Sequence, residues 1–310
     1  MNLFWKRNYR LVRGTYGTRM VVLGPWSEAI EKKAQKKGIK ELELNHAKGW
    51  KGRDLSFLPG LCHLLAFEII DWKIDDVSPI HNLRFLKSLD VNTYCESEID
   101  FSCFPELEEV SLEWRDKAQS LLNCTSLKKV FINNYAGKSL EDFSKLRNLR
   151  HLSLKSPKIE NIGNVYSLEK LKFLELGNAR KLKSLVGIEK LDSLKTLELN
   201  RCRNIHNIEP VRYLYHLRRF FLVDCKQIES LKPIEELNNL EEICFYDSTN
   251  IVDGDLSPLK ELPNLKDIYF QDFRHYNYRM EDFNPGHDEE LRKVLKQYCG
   301  TSPRKSVNGL

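Results

Sequence analysis

This chain carries none of the short motifs that announce catalysis. There is no G-x-x-x-x-G-K-[ST], no H-E-x-x-H, no G-x-S-x-G and no G-x-G-x-x-G, so phosphate cradles, zinc-protease helices, nucleophile elbows and dinucleotide turns are not expected. The eight cysteines include no C-x-x-C pair, which removes the commonest metal and redox spacing and leaves reduced core or near-core thiols as the reading. The first seventeen residues hold arginines and no apolar run of roughly 7–15 residues, so no secretory leader is expected. Nothing approaches the roughly 20 apolar residues of a membrane span. A cytoplasmic protein without cofactor, metal or membrane partner is the expectation, and the lone sequon at Asn123 carries no weight in that setting.

What the chain has is repetition. Eleven times an apolar residue is followed by two variable, one apolar, one variable and one apolar residue, beginning at Ile39, Leu64, Leu86, Leu107, Leu127, Leu149, Leu171, Leu194, Leu217, Leu240 and Leu265. The steps between starts are 25, 22, 21, 20, 22, 22, 23, 23, 23 and 25 residues. A period that tight describes a solenoid, in which no unit buries its own core and each coil covers the next. A chain of 310 residues would otherwise suggest two domains; a repeat array grows by addition and remains one unit. The apolar share of 41% suffices for a narrow continuous core.

Behind each strand motif runs a second apolar series spaced by three, as in Ile205, Ile208, Val211 and Leu214. That spacing suits 3₁₀ turns. Proline enters the turns at Pro79, Pro210, Pro233 and Pro258, at first positions that need no backbone donor. With the strand motif, this arm resembles the leucine-rich repeat family. It is similar to the 22-residue class of bacterial internalins and of the regulator of protein phosphatase 1. The resemblance covers about three quarters of the chain and implies an α/β horseshoe of about eleven coils with a parallel concave sheet. Function is not fixed by it, because the family is a scaffold.

The family places asparagine three residues after the last strand leucine, where its amide bonds neighbouring coils. Here those positions hold Ala47, Trp72, Tyr94, Arg115, Tyr135, Pro157, Ala179, Cys202, Cys225, Ser248 and Phe273. Small residues from Ala179 to Ser248 can sit inward. The bulky ones earlier cannot build an asparagine ladder, so either those coils are irregular or their rings face outward.

Both ends read as caps. Residues 9–13 and 19–23 alternate like two strands across a turn at 14–18, and a helix follows Gly24 and Pro25, is striped by Trp26, Ala29, Ile30 and Ala34, and stops at Gly38. The organisation expected is an N-terminal cap over 1–38, the solenoid over 39–286, a C-terminal cap helix over 287–299 and a disordered tail over 300–310.

Two candidate surfaces remain. Glu175 and Glu198 occupy the same site on adjacent strands, which sets two carboxylates about 5 Å apart. Paired carboxylates can do acid–base work, but an acidic ladder on an open surface is the simpler reading. His151 and Lys155 share a strand face and read as solvated. The larger asymmetry is on the strand motifs of the first four coils. They carry Glu41, Glu43, Glu68, Asp71, Asp90, Glu108, Glu109 and Glu113 against only Lys40 and Lys87, whereas the next two coils show Lys128, Lys129, Arg150 and Lys155. The whole chain is nevertheless +5, with nine bases and two acids in residues 1–38.

Trp72, Tyr94, Trp114 and Tyr135 recur just past consecutive strands, and Phe221, Tyr246 and Tyr269 fall on strand positions opposite their leucines. Core burial competes with an interface role for the first group; the second group faces away from the core by strand alternation. An acidic, aromatic inner face argues against nucleic acid, which needs a basic stripe; Lys32, Lys33, Lys36 and Lys37 read as the solvated face of the cap helix. The expectation is a non-catalytic protein-binding solenoid, monomeric before complex formation, that takes a protein with a basic surface. The site residues are Glu43, Glu68, Asp90, Glu113, Trp72, Tyr94, Trp114, Tyr135, Phe221, Tyr246 and Tyr269. Its form resembles bacterial intracellular repeat proteins, some of which neutralise toxins as immunity partners. A regulatory subunit docking on an enzyme, and an enzyme using Glu175 and Glu198, are the alternatives.

Overall fold

The structure is a computed structural model and describes residues 8–283. The expected cap helix over 287–299 and tail over 300–310 lie outside these residues, as does the very end of the 39–286 solenoid. An antiparallel hairpin of β1 (Tyr9–Arg13) and β2 (Thr18–Val22) opens the chain and is followed by α1 (Glu28–Lys37). Ser27 caps the helix by accepting from the Ile30 N–H, and Gly38 ends it in the left-handed conformation at φ 54°, which a residue without Cβ adopts at no cost.

The repeat strands follow at the spacing of the motif. They are β3 (Glu41–Asn45), β4 (Ala66–Ile70), β5 (Ser88–Asn92), β6 (Glu109–Glu113), β7 (Lys129–Asn133) and β8 (His151–Lys155). After them come β9 (Phe173–Gly177), β10 (Thr196–Asn200), β11 (Arg219–Val223), β13 (Glu242–Tyr246) and β15 (Asp267–Phe270). All eleven pair in parallel with their neighbours in one sheet of 13 strands. The remaining two are the hairpin, because β2 pairs in parallel with β3; the front cap extends the sheet. Two short strands, β12 (Gln227–Ile228) and β14 (Asn250–Ile251), pair separately in the loops.

Strand alternation sends the motif leucines inward: Leu171, Leu174 and Leu176 are fully buried, as are their equivalents in neighbouring coils. Each such leucine contributes about 1.5–3 kcal/mol by leaving water, but only because the adjacent coil covers it. The return arms are the expected short turns. Pro79, Pro210 and Pro233 open the 3₁₀ segments Ser78–Asn82, Glu209–Tyr213 and Lys232–Ile234, and Pro258 opens a single helical turn, α2 (Pro258–Glu261).

The ladder position divides the array. After β9, β10, β11 and β13 the chain turns through a left-handed residue, Asn178, Arg201, Asp224 and Asp247 (φ 53–61°). The next small side chain then points inward. Cys202 and Cys225 donate their thiols to the carbonyls of Leu176 and Leu199 at 3.2 Å, in the preceding coil. Thr249, one residue beyond the expected Ser248, donates to the Leu222 carbonyl at 2.7 Å and accepts from the Cys225 N–H. In the earlier coils the bonds between coils go instead to carbonyls of the turns. Arg115 is buried and donates to the carbonyls of Thr93 and Cys95 at 3.1 and 2.8 Å, and Ser156 donates to the Tyr135 carbonyl at 2.5 Å.

Candidate functional site

The concave sheet presents three rows of side chains. Strand register places Glu43, Glu68, Asp90, Ser111, Phe131, Ser153, Glu175, Glu198, Phe221, Cys244 and Tyr269 in the middle row, each beside the next. At the front this row is not the open acidic face that the sequence suggests. Glu41 and Glu43 are 1% and 2% exposed. Arg19 of β2 holds one Glu41 oxygen through Nε at 2.8 Å and Nη2 at 2.7 Å. Its Nη1 reaches Glu43 at 3.6 Å and Glu68 at 3.9 Å, and Lys48 closes on Glu43 from the loop side.

The hairpin turn overhangs this cluster. Tyr16 donates its backbone N–H to Glu41, and a Cβ at Gly14 would strike the same carboxylate. Burial first, then the fields of Glu109, Glu108 and Glu41, push the Tyr16 hydroxyl up to about 12. The remaining front acids are also answered from within. Asp71 is buried and accepts from the Lys73 N–H, and Glu113 is buried under the side-chain amides of Asn133 and Asn134. Glu108 and Glu109 pair with Lys128 and Lys129 of the next coil at 2.8 and 2.9 Å. The sign reversal between coils four and five is therefore a cross-strand ion-pair ladder. Glu43 and Glu113 are not available to a partner; Glu68 and Asp90 are half-buried in the row.

The aromatic series runs from surface to core along the array. Trp72 is 42% and Tyr94 65% exposed, and their rings stack at 4.7 Å. His46 of the preceding coil meets Trp72 at a tilt, its ring centre 5.9 Å away. Trp114 is half-buried against the core. Tyr135 is 1% exposed, meets Trp114 edge-on at 4.9 Å and donates its hydroxyl to Asp142 at 2.7 Å. Burial first, then Asp142, raise its hydroxyl far above the usual tyrosine range. Tyr135 is thus a core residue and not an outward anchor: coil five gives it a pocket against Phe143, 5.2 Å away.

At the far end the second aromatic group leaves the core as alternation requires, and forms a separate apolar cluster on the concave face. Phe221 and Cys244 sit buried at its centre, with Tyr246 and Tyr269 half-buried around them. Phe221, expected to be exposed, is covered by these neighbours. Cys244 was legible from register alone, since it occupies the strand position of Phe221 and Tyr269. His46 was not, because it lies two residues after its last leucine, whereas Trp72 and Tyr94 lie three after theirs.

Between the two ends lie Glu175 and Glu198, in register. Glu175 accepts from the Ser153 hydroxyl and lies 3.9 Å from Lys155. Burial and then the charge of Glu175 push the Glu198 carboxyl up to about 7. An enclosed pocket is not needed for that shift: a crowded sheet surface beside Phe221 suffices. Among the described residues, shallow concavities lie elsewhere, one among Arg203, His206, Lys226 and Asp247 and another among Gln119, Asn123, Glu141 and Lys145.

No family model and no curated protein matches the sequence. Among solved structures, the chain is similar to the internalin InlF of Listeria monocytogenes (19% identity, TM-score 0.58, 83% of each chain covered). It is also similar to internalin C2 of the same organism (18%, TM-score 0.43, 68% of this chain and 83% of that one) and to a leucine-rich repeat protein of Leptospira interrogans (16%, TM-score 0.44, 80% and 81%). Only the first likeness is close enough to speak for the fold. The parallel sheet, the repeat register and that likeness make the fold a leucine-rich repeat solenoid. No helix among the described residues is long and apolar enough to cross a membrane.

Proposed function

We propose that this solenoid is a non-catalytic protein-binding module. The observation that carries the reading is the exposed stack of Trp72 and Tyr94. Two large rings held against each other in water, at positions that regular coils fill with small inward residues, offer a preordered anchor with few rotors left to freeze. The concave cluster around Phe221 supplies a second apolar contact surface.

The finer reading is a bacterial cytoplasmic immunity or inhibitor protein that takes a basic protein, such as a toxin, on its inner face. The carboxylates of the far strands support a basic partner; the front acids Glu43, Glu68, Asp90 and Glu113, which meet groups of their own chain, do not. A regulatory subunit docking on an enzyme would use the same surfaces. One observation favours a catalytic reading of Glu175 and Glu198, the shift of Glu198 to about 7; their open strand surface supplies nothing to enclose a substrate.

Co-expression with the product of the adjacent gene tests the inhibitor reading. Rescue of growth, and a complex on size exclusion that Trp72→Ala with Tyr94→Ala abolishes, is the expected result. A neighbour that is harmless alone and forms no complex removes the inhibitor reading. A complex that is indifferent to the double variant removes the aromatic anchor.

A further inference from the structure

The sheet ends differently on its two sides. At the far edge the chain turns back over β15, and Phe283 meets Phe270 edge-on at 5.9 Å. At the front edge β1 has a partner on one side only. The Leu23 N–H donates to the Asn8 carbonyl at 2.7 Å and the Gly14 N–H to the Gly17 carbonyl at 2.8 Å. With the register of the hairpin, these bonds turn the backbone groups of Asn8, Arg10, Val12 and Gly14 towards β2. In an antiparallel pair the residues between them face the other way. Tyr9, Leu11 and Arg13 therefore point their N–H and C=O groups out of the sheet, where no described residue bonds them.

The side chains of this edge are as open as its backbone. Leu11 and Val12 are 36% and 37% exposed. Leu11 stands on the face of Met20, its fully buried neighbour on β2, so the core runs out beside it. Arg10 and Arg13 are exposed as well, and neither forms an ion pair among the described residues, whereas Arg19 on β2 is engaged by Glu41. Charge on an edge strand guards it against indiscriminate pairing. It also selects: two guanidiniums, one on each face of the strand, call for acids opposite them. A second copy of this chain does not supply them. Paired with β1 about Leu11 in two-fold antiparallel register, its own β1 brings two more arginines and no acid.

We propose that β1 takes an extended acidic and apolar segment of a protein partner as a further antiparallel strand of the sheet, with an apolar side chain beside Leu11 and carboxylates opposite Arg10 and Arg13. Main-chain bonds to Leu11 give the attachment, and the two ion pairs give the selection. The antiparallel sense follows from its ladder being slightly more stable per residue than a parallel one. This site goes beyond the protein-binding reading above: it lies at one end of the solenoid, uses neither Trp72 nor Phe221, and prefers a partner segment of the opposite charge.

The test uses the whole chain and the blocked peptide acetyl-Glu-Val-Leu-Glu-Tyr-amide, whose residues fall opposite Arg13, Val12, Leu11, Arg10 and Tyr9, followed by NMR. Shifts confined to the hairpin, and slowed exchange of the Leu11 amide, are expected. Methylating the backbone nitrogen of the peptide's leucine removes the donor that meets the Leu11 carbonyl and should weaken binding about tenfold. Glutamine in place of both glutamates should cost about the same factor and remove most of the salt dependence. Leu11→Pro deletes only an outward N–H, which an edge strand tolerates, and should abolish binding. Trp72→Ala with Tyr94→Ala should leave it unchanged. Equal affinity for the methylated or the glutamine peptide, shifts on other strands, no binding, or a dimer of the chain through β1 would overturn the proposal; the peptide comparisons on the wild type decide it even if Leu11→Pro folds poorly. If the complex with the neighbour-encoded protein forms and needs Trp72 while the peptide fails, the edge inference falls alone and the protein-binding reading stands.

Discussion

The coils before β8 and those after it solve one problem with different residues. Every coil must satisfy the strand carbonyls that its turn leaves behind. After β9 the solution is regular: a left-handed turn residue, then Cys202, Cys225 or Thr249 bonded to the coil before. Ahead of β9 a buried arginine and a serine, Arg115 and Ser156, instead bond carbonyls of the turns, at Thr93, Cys95 and Tyr135, while bulky rings at Trp72 and Tyr94 are left outside and Tyr135 is taken in. The regular end leaves its surface carboxylates crowded; the irregular end pairs its own. The irregular end therefore answers the acids of its inner face from its own side chains, whereas at the regular end Glu198 and Glu242 are left with raised carboxyls.

The sharpest way to break the comparison is Tyr135. If its ring is structural, Tyr135→Ala should lower the unfolding free energy by about 3–5 kcal/mol in a urea titration, and Tyr135→Phe by only about 1 kcal/mol through the lost bond to Asp142. A small loss for alanine would return the ring to the surface series.

Next is the ladder itself. Arg115→Met orphans the carbonyls of Thr93 and Cys95 and should cost about 2–4 kcal/mol. Cys202→Ala or Cys225→Ala removes a weak thiol donor and should cost about 1–2 kcal/mol, mostly in packing. Equal costs at both ends would mean that Arg115 is incidental.

Glu198 comes third. Its carboxyl sits near 7 in the folded chain against an ordinary value of 4.5. Below about 4.5 both states are protonated and the group is neutral in the balance; as pH rises to about 7 the unfolded chain loses the proton first, so folding weakens and stays weakened above. Glu198→Gln should therefore match the wild type near pH 4 and exceed it by about 1–2 kcal/mol at pH 8, a value reduced for the group's partial exposure. Chemical denaturation at the two pH values measures this, and parallel curves would remove the crowding argument. The smallest stability effect belongs to the exposed stack: Trp72→Ala and Tyr94→Ala should each change stability by less than about 1 kcal/mol while costing about 2 kcal/mol of partner binding.

Much of this was legible in the sequence. The motif starts gave the eleven strands and their register, because a period-two pattern with fixed spacing permits one stacking only. Alternation put Phe221, Tyr246 and Tyr269 on the concave side, where they are. The burial of the acidic face was not legible, because Arg19 arrives from the hairpin and Lys128 and Lys129 from the following coil. The aromatic series was undecided for the same reason: nothing local distinguishes Trp72 from Tyr135, and what separates them is whether the neighbouring coil offers a pocket.

The sequence by itself determined what depends on period: the strands, the leucine core, the proline-opened return turns and the direction of each strand side chain. Only the tertiary structure decided what depends on contact between coils some 20 to 25 residues apart, namely which acids are answered, which rings are covered, and that Glu198 titrates near neutrality. Direction along a strand is a local steric property, whereas burial, charge compensation and proton affinity are set by whatever the next coil brings alongside.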